Sequence, residues 1–332
     1  MENKKLLSII MPTYNRVNLL KNTISLLLEQ IIRNSEYVDL IICNNASTDG
    51  TKDFLITLDK RDGLIKVYNY DDHVDIGNSI TRSAANSDGK FFLFWSDDDT
   101  PSPCMIDTIL LYLNKYPDIG CIHYNRLQGI PSDNGVDITN LNVYNSKPYS
   151  THEVLYEELE PFVINYFVSM GFLSADVIST DVWKKGMCAY PNNHVGYEFL
   201  SPIFVGLKGK QCLYINYPLC IQRILHRTRY AIDWPKYVYL GAPRMLDYLN
   251  GLGIIHEWRE DYYNSYFMKS DNYFLHVVLY CTLDKKRYWD VLDEMCNYQK
   301  SKLRRFALRF IMYCIPGSLF AFYLKIRYNT SL

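Results

Sequence analysis

FFLFWSDDDTPSP, residues 91–103, runs five apolar side chains straight into Ser96 and three consecutive aspartates, then into Pro101 and Pro103. The apolar half reads as a buried strand. The acidic half has two readings. Asp and Ser favour turns and the prolines stop the strand, so a solvated turn would suffice. Three like charges at a strand end repel one another, however, and a hard cation or a polar ligand would give them a purpose.

The residues upstream set the context. LLSIIMP (6–12) is a short apolar run stopped by Pro12, and apolar positions Leu19, Leu20, Ile24, Leu27, Leu28 and Ile31 then recur at helical spacing. VDLIICN (38–44) predicts a second buried strand, and STDGTKDFLITL a second helix with Ser47 or Thr48 as its cap. LIKVYNY (64–70), IGNSITRSAANS (76–87) and KFFLFWS (90–96) predict strand, helix and strand again. This alternation means βαβ units and a parallel sheet covered on both faces. Ligands bind outside the carboxyl ends of such strands, which places Pro12-Thr13-Tyr14, Asn44-Asn45 and Asp97-Asp98-Asp99 at one edge of one crevice. There the turn reading loses ground.

Farther on, MIDTILLYLNKY predicts a helix and GCIHYNRL a strand, while the polar residues 129–150 read as a loop or insertion. Helical and strand patterns mix over 151–225, and from about 235 the periodicity is largely helical.

Length and composition suit a globular protein with ample core: 332 residues, 48% hydrophobic and 21% charged. A net charge of −1 gives no bulk signal for nucleic acid, and 29 tyrosines suit sugar stacking or an interface as well as a core. The nine cysteines show no CxxC pair or zinc spacing and are expected to be reduced thiols in a cytosolic protein. MENKKLLSIIMPTYNR is read as neither a signal peptide nor an anchor.

SIIMPTYNR, IICNNASTDGT and DIGNSITRSAANSDGKFFLFWSDDD, in this order and spacing, resemble the family 2 glycosyltransferases, and among them the abequosyltransferase-type enzymes of bacterial surface polysaccharides. The resemblance is good over residues 5–125 and thins to about 225. It implies an α/β GT-A fold: a catalytic domain over 1–230, with a nucleotide-sugar half at 1–125 and an acceptor half at 126–230, then a mainly helical extension over 231–332. It also implies an inverting, metal-dependent transfer from a nucleotide sugar, UDP favoured, to a hydroxyl of a lipid-linked or growing glycan.

By the same resemblance, Asp97 and Asp99 form the DXD motif, with Asp99 as ligand of Mn²⁺ or Mg²⁺ and Asp97 and Asp98 facing the ribose and the diphosphate. Oxygen donors suit those cations, and a cation bridging the phosphates stabilises the leaving group. Pro12, Thr13, Tyr14, Arg16 and Ser96 fall in the segments that line the donor pocket. Asn44, where the family usually has Asp, and Asn45 stand at the base. Asn78 and Arg82, four apart on one helix face, lie near the donor. The general base is expected in NNHVGYEFLSP (192–202), with Glu198 first and His194 and Asp176 behind it, although Phe199 breaks the family's Glu-Asp pair. Asp49 is expected to brace the loop into the second helix.

In RILHRTRY (223–230), Arg223, His226, Arg227 and Arg229 could close over a diphosphate, with His226 completing metal coordination, or form an exposed basic loop. SKLRRFALRFIMYCIPGSLFAFYLKIRY (301–328) is basic and aromatic, and its apolar run from Phe310 to Leu324 is too short to span a bilayer. It is read either as a final core helix or as a segment lying on an anionic membrane, which would put the protein at the inner face of the cytoplasmic membrane. Two other classes stay open. A glycan-binding protein without activity would keep the fold, and a nucleotidyltransferase would also use an Asp cluster but needs a Gly-rich phosphate loop that PTYNRVNLL does not offer.

Overall fold

The computed structural model describes residues 4–58, 63–131, 138–144, 152–189, 197–224, 241–256 and 301–314, with Trp289, Asp293, Cys296, Pro316, Ser318, Leu319 and Phe322. Its centre is one mixed sheet in the order β3-β2-β1-β4-β9-β6-β10-β5. The first strands are β1 (Leu7–Thr13), β2 (Val38–Asn44), β3 (Ile65–Asn69) and β4 (Phe91–Phe94), all mutually parallel. After them come β5 (Thr100–Pro101), β6 (Cys121–Pro131), β7 (Ile138–Val143), β8 (Glu153–Tyr156), β9 (Asp176–Ser179) and β10 (Cys212–Arg223).

β9 lies antiparallel between β4 and β6, and β10 runs parallel to β6. Two antiparallel steps restore the original direction, so the carboxyl ends of β6 and β10 share an edge with those of β1, β2 and β4.

The strands are buried on both faces, as parallel sheets require. Alternation sends Leu7, Ile9, Met11, Leu93 and Trp95 to one core, where α1 (Val17–Arg33), α2 (Thr51–Leu58) and α4 (Met105–Lys115) pack through Leu20, Leu27, Leu55, Ile109 and Leu113. Ile10, Phe92 and Phe94 point to the other. That core is covered by α3 (Ile76–Ala84), α5 (Leu159–Met170), α6 (Thr180–Gly186), α7 (Leu200–Gly206) and the helix Ala242–Gly251. Trp183 of α6 meets Phe92 edge to face at 5.7 Å between centroids, a geometry worth about 1 kcal/mol beyond burial alone.

α6 and α7 touch backbone to backbone. A Cβ on Gly186 would stand 1.7 Å from the Pro202 carbonyl oxygen, and one on Gly206 1.9 Å from that of Val182. Only glycine permits this approach, and it fixes the turn from which α7 starts.

Three expectations need correction. Residues 129–150 are not simply a loop: β6 runs on to Pro131 and β7 pairs with it, Ile138 opposite Pro131. The prolines after the aspartates do not end sheet structure either, because Thr100 and Pro101 pair with Ile221 and Cys220 of β10. Pro101 is tolerated on this two-residue edge strand. The cap of α2 comes from Asp49, not from Ser47 or Thr48.

Candidate active site

Each βα loop at the carboxyl edge contributes one part of the site. β1 ends at Thr13, and the chain turns at once through Asn15, whose φ is +52°. The β2 loop turns at Ala46, also left-handed at +59°. Left-handed backbone costs a non-glycine residue about 1 kcal/mol or more and persists where surroundings impose it. Here side chains supply the constraint. Asn15 Oδ1 accepts from the Thr48 N–H at 2.7 Å, and Ser47 Oγ accepts from the Asn15 N–H at 2.9 Å. Asp49 then accepts from the backbone N–H groups of Val17 and Thr51, at the first residues of α1 and α2. Desolvation works against its charge, but these donors and the Thr51 hydroxyl hold its carboxyl below the usual range. Asp49 is the brace the sequence suggested.

The three aspartates follow β4. Asp97 accepts from Thr13 Oγ1 at 2.6 Å and from Arg16 at 3.0 Å. The same guanidinium nitrogen reaches Asp98 at 3.0 Å, and Ser96 Oγ donates to the other Asp98 oxygen. Asp99 turns toward the segment before β9 and toward β10, where Ser174 Oγ donates to it at 2.7 Å and the Arg223 N–H at 3.2 Å. Ser174 Oγ in turn accepts from the Ser96 N–H at 2.8 Å. Thr23 of α1 donates to the Asp97 carbonyl at 3.0 Å, and Arg223 Nε to that of Asp98 at 3.0 Å. Both halves of the chain therefore grip the acidic tip.

Burial dominates the electrostatics. It pushes Asp97 up to about 6, with Arg16 opposing and Asp98 adding to the rise. It pushes Asp99 well above the carboxylate range, again helped by Asp98. The Arg16 guanidinium bridges Asp97 and Asp98. The donors are all oxygen, which suits a hard divalent cation. Among the described residues no three His, Cys, Asp or Glu side chains converge as a closed metal cage. An open site of one or two carboxylates is what Mg²⁺ uses when phosphates and water complete its shell.

The other expected residues divide. Tyr14 is 41% exposed and its ring lies against His73, centroids 4.1 Å apart, so it is not a core tyrosine. Pro12 sits half-buried before it. Asn44 and Asn45 are buried braces: Asn44 joins Asn69 Oδ1 to the Ser47 N–H, and Asn45 pairs with both backbone groups of Val74. These bonds hold the β2 loop to β3 and to the segment before α3. Arg82 bonds Asp72 and Asn45 and stacks on Tyr70 at 3.8 Å, holding the loop before α3; the aspartates, one of its two expected partners, are not in contact with it. Asn78 is bound to Asp75, the N-cap of α3.

Glu198 is half-buried in the turn before α7, beside the N-terminus of α3. A Cβ on Gly77 would lie 3.3 Å from Glu198 Oε2 and 3.4 Å from Asp75 Oδ1, so glycine there leaves room for the carboxylate. Asp176, weighed as an alternative base, is buried with its Oδ1 2.7 Å from His123 Nδ1. Burial raises its pKa, with His123 opposing, and it belongs to an internal polar chain. That chain continues from His123 Nε2 to Ser169 Oγ at 2.9 Å and on to Arg126, which lies between the rings of Tyr144 and Phe172. His194, His226, Arg227 and Arg229 lie outside the described residues. Arg223 is turned inward and braces the aspartates, which corrects its reading as part of an exposed basic loop.

Residues 8–172 match the family model described as Glycosyl transferase family 2. A Haemophilus influenzae protein named an uncharacterized glycosyltransferase is 32% identical over 115 residues, 35% of this chain and 35% of its own length. A Bacillus subtilis glycosyltransferase, named for a proposed place in teichuronic acid biosynthesis, is 28% identical over 96 residues, 29% of this chain and 37% of its own length. These matches span about a third of the length of the curated relatives. Among solved structures, S. aureus TarS 1–349 superposes with a TM-score of 0.58 at 15% identity, over 98% of this chain and 93% of that one. The mannosyltransferase PcManGT from Pyrobaculum calidifontis, in complex with GDP-Man and Mn²⁺, superposes with a TM-score of 0.54 at 11% identity, over 99% of this chain and 89% of that one. At such identities the likeness is one of fold. The strand-end aspartates, the sheet order and the family match thus meet on one statement: the chain carries a glycosyl transferase family 2 domain over residues 8–172, built on the GT-A α/β fold.

Proposed function

We propose that the chain is an inverting glycosyltransferase that moves a sugar from a nucleoside-diphosphate donor to a hydroxyl of a lipid-linked or growing surface glycan. The observation that carries this reading is the buried Asp97–Asp99 cluster at the carboxyl edge of the sheet. Buried negative charge is costly unless a partner neutralises it. A divalent cation held by Asp99, with Asp97 beside it, would supply that partner and stabilise the departing diphosphate. Arg16 keeps Asp97 and Asp98 oriented, and Ser174 with the Arg223 N–H fixes Asp99. The exposed ring of Tyr14, backed by His73, offers a stacking surface for the base.

Glu198 is our general base, taking the proton from the acceptor hydroxyl as its oxygen attacks the anomeric carbon. A UDP donor draws support from the TarS structures with UDP and with UDP-GlcNAc, whereas PcManGT was solved with GDP-Man. The teichuronic acid relative supports a cell-surface polysaccharide as product. An acceptor of that kind, carried on lipid, would place the protein at the inner face of the cytoplasmic membrane. Among the described residues no helix is long and apolar enough to cross a membrane.

Calorimetric titration of UDP, dTDP, GDP and CDP, with and without Mn²⁺, tests the donor site. Metal-dependent binding of one nucleotide, lost in Asp99→Ala, is the expected result. Failure of all four under every metal condition would remove the donor site and leave a glycan-binding protein.

A further inference from the structure

Arg126 of β6 is a buried cation held by neutral groups. It is 3% exposed. Its guanidinium lies 3.6 Å from the Tyr144 ring centroid and 4.4 Å from that of Phe172. Nε donates to Gln222 Oε1 at 2.8 Å, and Nη1 to Ser169 Oγ at 2.9 Å and, farther off, to the Ser169 carbonyl at 3.5 Å. A guanidinium carries five N–H donors. The two on Nη2 find no acceptor among the described residues, and no carboxylate of those residues lies within ion-pair distance. Asp176, the carboxylate reached along the Ser169 chain, is already engaged by His123 at 2.7 Å.

The sheet sets this cation beside the acidic tip. Val177 of β9 pairs with both Leu93 and Ile122, and four residues farther along each chain come Asp97 and Arg126. Two strand spacings, about 10 Å, separate β4 from β6. The segment before β9 serves both charges, with Phe172 against Arg126 and Ser174 Oγ on Asp99. Arg126 is also among the charges that favour the ionised form of Asp99. Gln222, two rings and Ser169 fix the guanidinium before any ligand arrives. A cation buried among neutral groups gains most from an anion that fits it, and a fixed planar guanidinium with spare N–H groups fits phosphate oxygens. We propose that Arg126 is a phosphate-binding residue of the transfer site, with Nη2 donating to oxygens of a substrate phosphate. Two sources supply that chemistry: the donor's diphosphate, or a phosphate carried by the acceptor. Naming the place a transfer site rests on the proposed function. The phosphate contact does not.

The test is calorimetric titration of the full chain in Mg²⁺ with two probes. Pyrophosphate stands for the donor's diphosphate and glycerol 3-phosphate for a phosphate on the acceptor. Arg126→Gln should weaken at least one probe by about thirtyfold, the scale of a charge-assisted pair. Loss of pyrophosphate alone assigns Arg126 to the donor, and loss of glycerol 3-phosphate alone assigns it to the acceptor. Arg126→Lys keeps the charge without the fork and should lose about tenfold. Should Arg126→Gln fail to fold, Gln222→Leu, which releases Nε, should weaken the same probe by about fivefold. Unchanged affinity for both probes overturns the proposal, as does native protein that binds neither. Nucleotide titration of the same samples separates the two readings. Nucleotide binding with both probes indifferent to Arg126→Gln removes only the Arg126 contact. Probe binding that Arg126→Gln abolishes, without any nucleotide bound, removes only the donor site.

Discussion

Two aspartates at opposite ends of the same parallel strands show what distinguishes a site from a buried charge. Asp97, just beyond β4, is 3% exposed and Asp39, at the start of β2, is 1% exposed. At the carboxyl edge Asp97 receives a hydroxyl, a guanidinium and a neighbouring carboxylate that shares the guanidinium. At the amino edge Asp39 faces the half-exposed ammonium of Lys66 at 3.0 Å. The groove there mixes Lys4, Lys5, Lys66 and Lys184 with Glu36 and Asp88. Burial is the same; convergence differs. Donors from β1, α1, the segment before β9 and β10 all aim at the carboxyl edge, because βα loops and helix N-termini collect there.

The largest expected effect follows from that difference. Asp99→Ala should lower turnover by about a thousandfold, the usual scale for losing a group that stabilises developing charge. Asp39→Asn should leave turnover within about twofold. A steady-state assay of both variants breaks the comparison if the two losses are alike.

Glu198→Gln comes next, at the same carboxyl edge through α3. A general base contributes about a hundred- to ten-thousandfold, and its loss should appear in kcat with donor binding unchanged. An equal loss in donor affinity would make Glu198 part of the donor pocket. The pH profile supplies a second measure, since the acidic limb assigned to Glu198 should vanish in the variant.

Much of this contrast was legible in the sequence. The βαβ alternation placed Thr13, Asn44 and Asp97–Asp99 on one edge, because parallel strands buried on both faces leave unbroken apolar runs such as VDLIICN. Asp49 was legible as a brace, since Asp between small polar residues before a helix has few other uses. The chain after residue 126 was harder. Ser174 and Arg223 reach the aspartates from 75 and 124 residues away, and no local pattern records so long a return. β7 was hidden because Thr139, Asn140 and Asn142 interrupt its apolar residues and its pairing partner in β6 sets its strand character. The contact of Arg82 with the Tyr70 ring was not legible, because spacing gives a helix face but not what the guanidinium rests on.

A smaller effect is in the pH dependence of stability. Asp97 titrates near 6 in the fold, against about 3.9 in an unfolded chain. Between those values the folded state keeps a proton that the unfolded chain has lost, so stability falls as pH rises through about 4 to 6. Thermal melts in chelator should therefore show native protein losing stability relative to Asp97→Asn as pH moves from 5 to 7.5. A difference that is flat with pH would mean that Arg16 and Thr13 compensate the charge fully. Mn²⁺ should shrink the difference, because a bound cation favours the ionised carboxylate over the protonated one.

The smallest effect belongs to Asp39 and is the sharpest check on the contrast. Removing one partner of a buried ion pair usually costs several kcal/mol, because the other charge is stranded. Lys66 is not stranded in this way: its side chain is 38% exposed and Asp88 stands 3.6 Å from its ammonium. The carboxylate at 39 is desolvated, and its cost of burial offsets much of what the Lys66 pair contributes. Asp39→Asn should accordingly change unfolding free energy by no more than about 1 kcal/mol in either direction, read from denaturant midpoints at constant slope. A loss of about 3 kcal/mol or more would show the Lys66 pair to be a main support of the β2–β3 edge. The two edges would then differ only in chemistry, not in how strongly their buried charges are held.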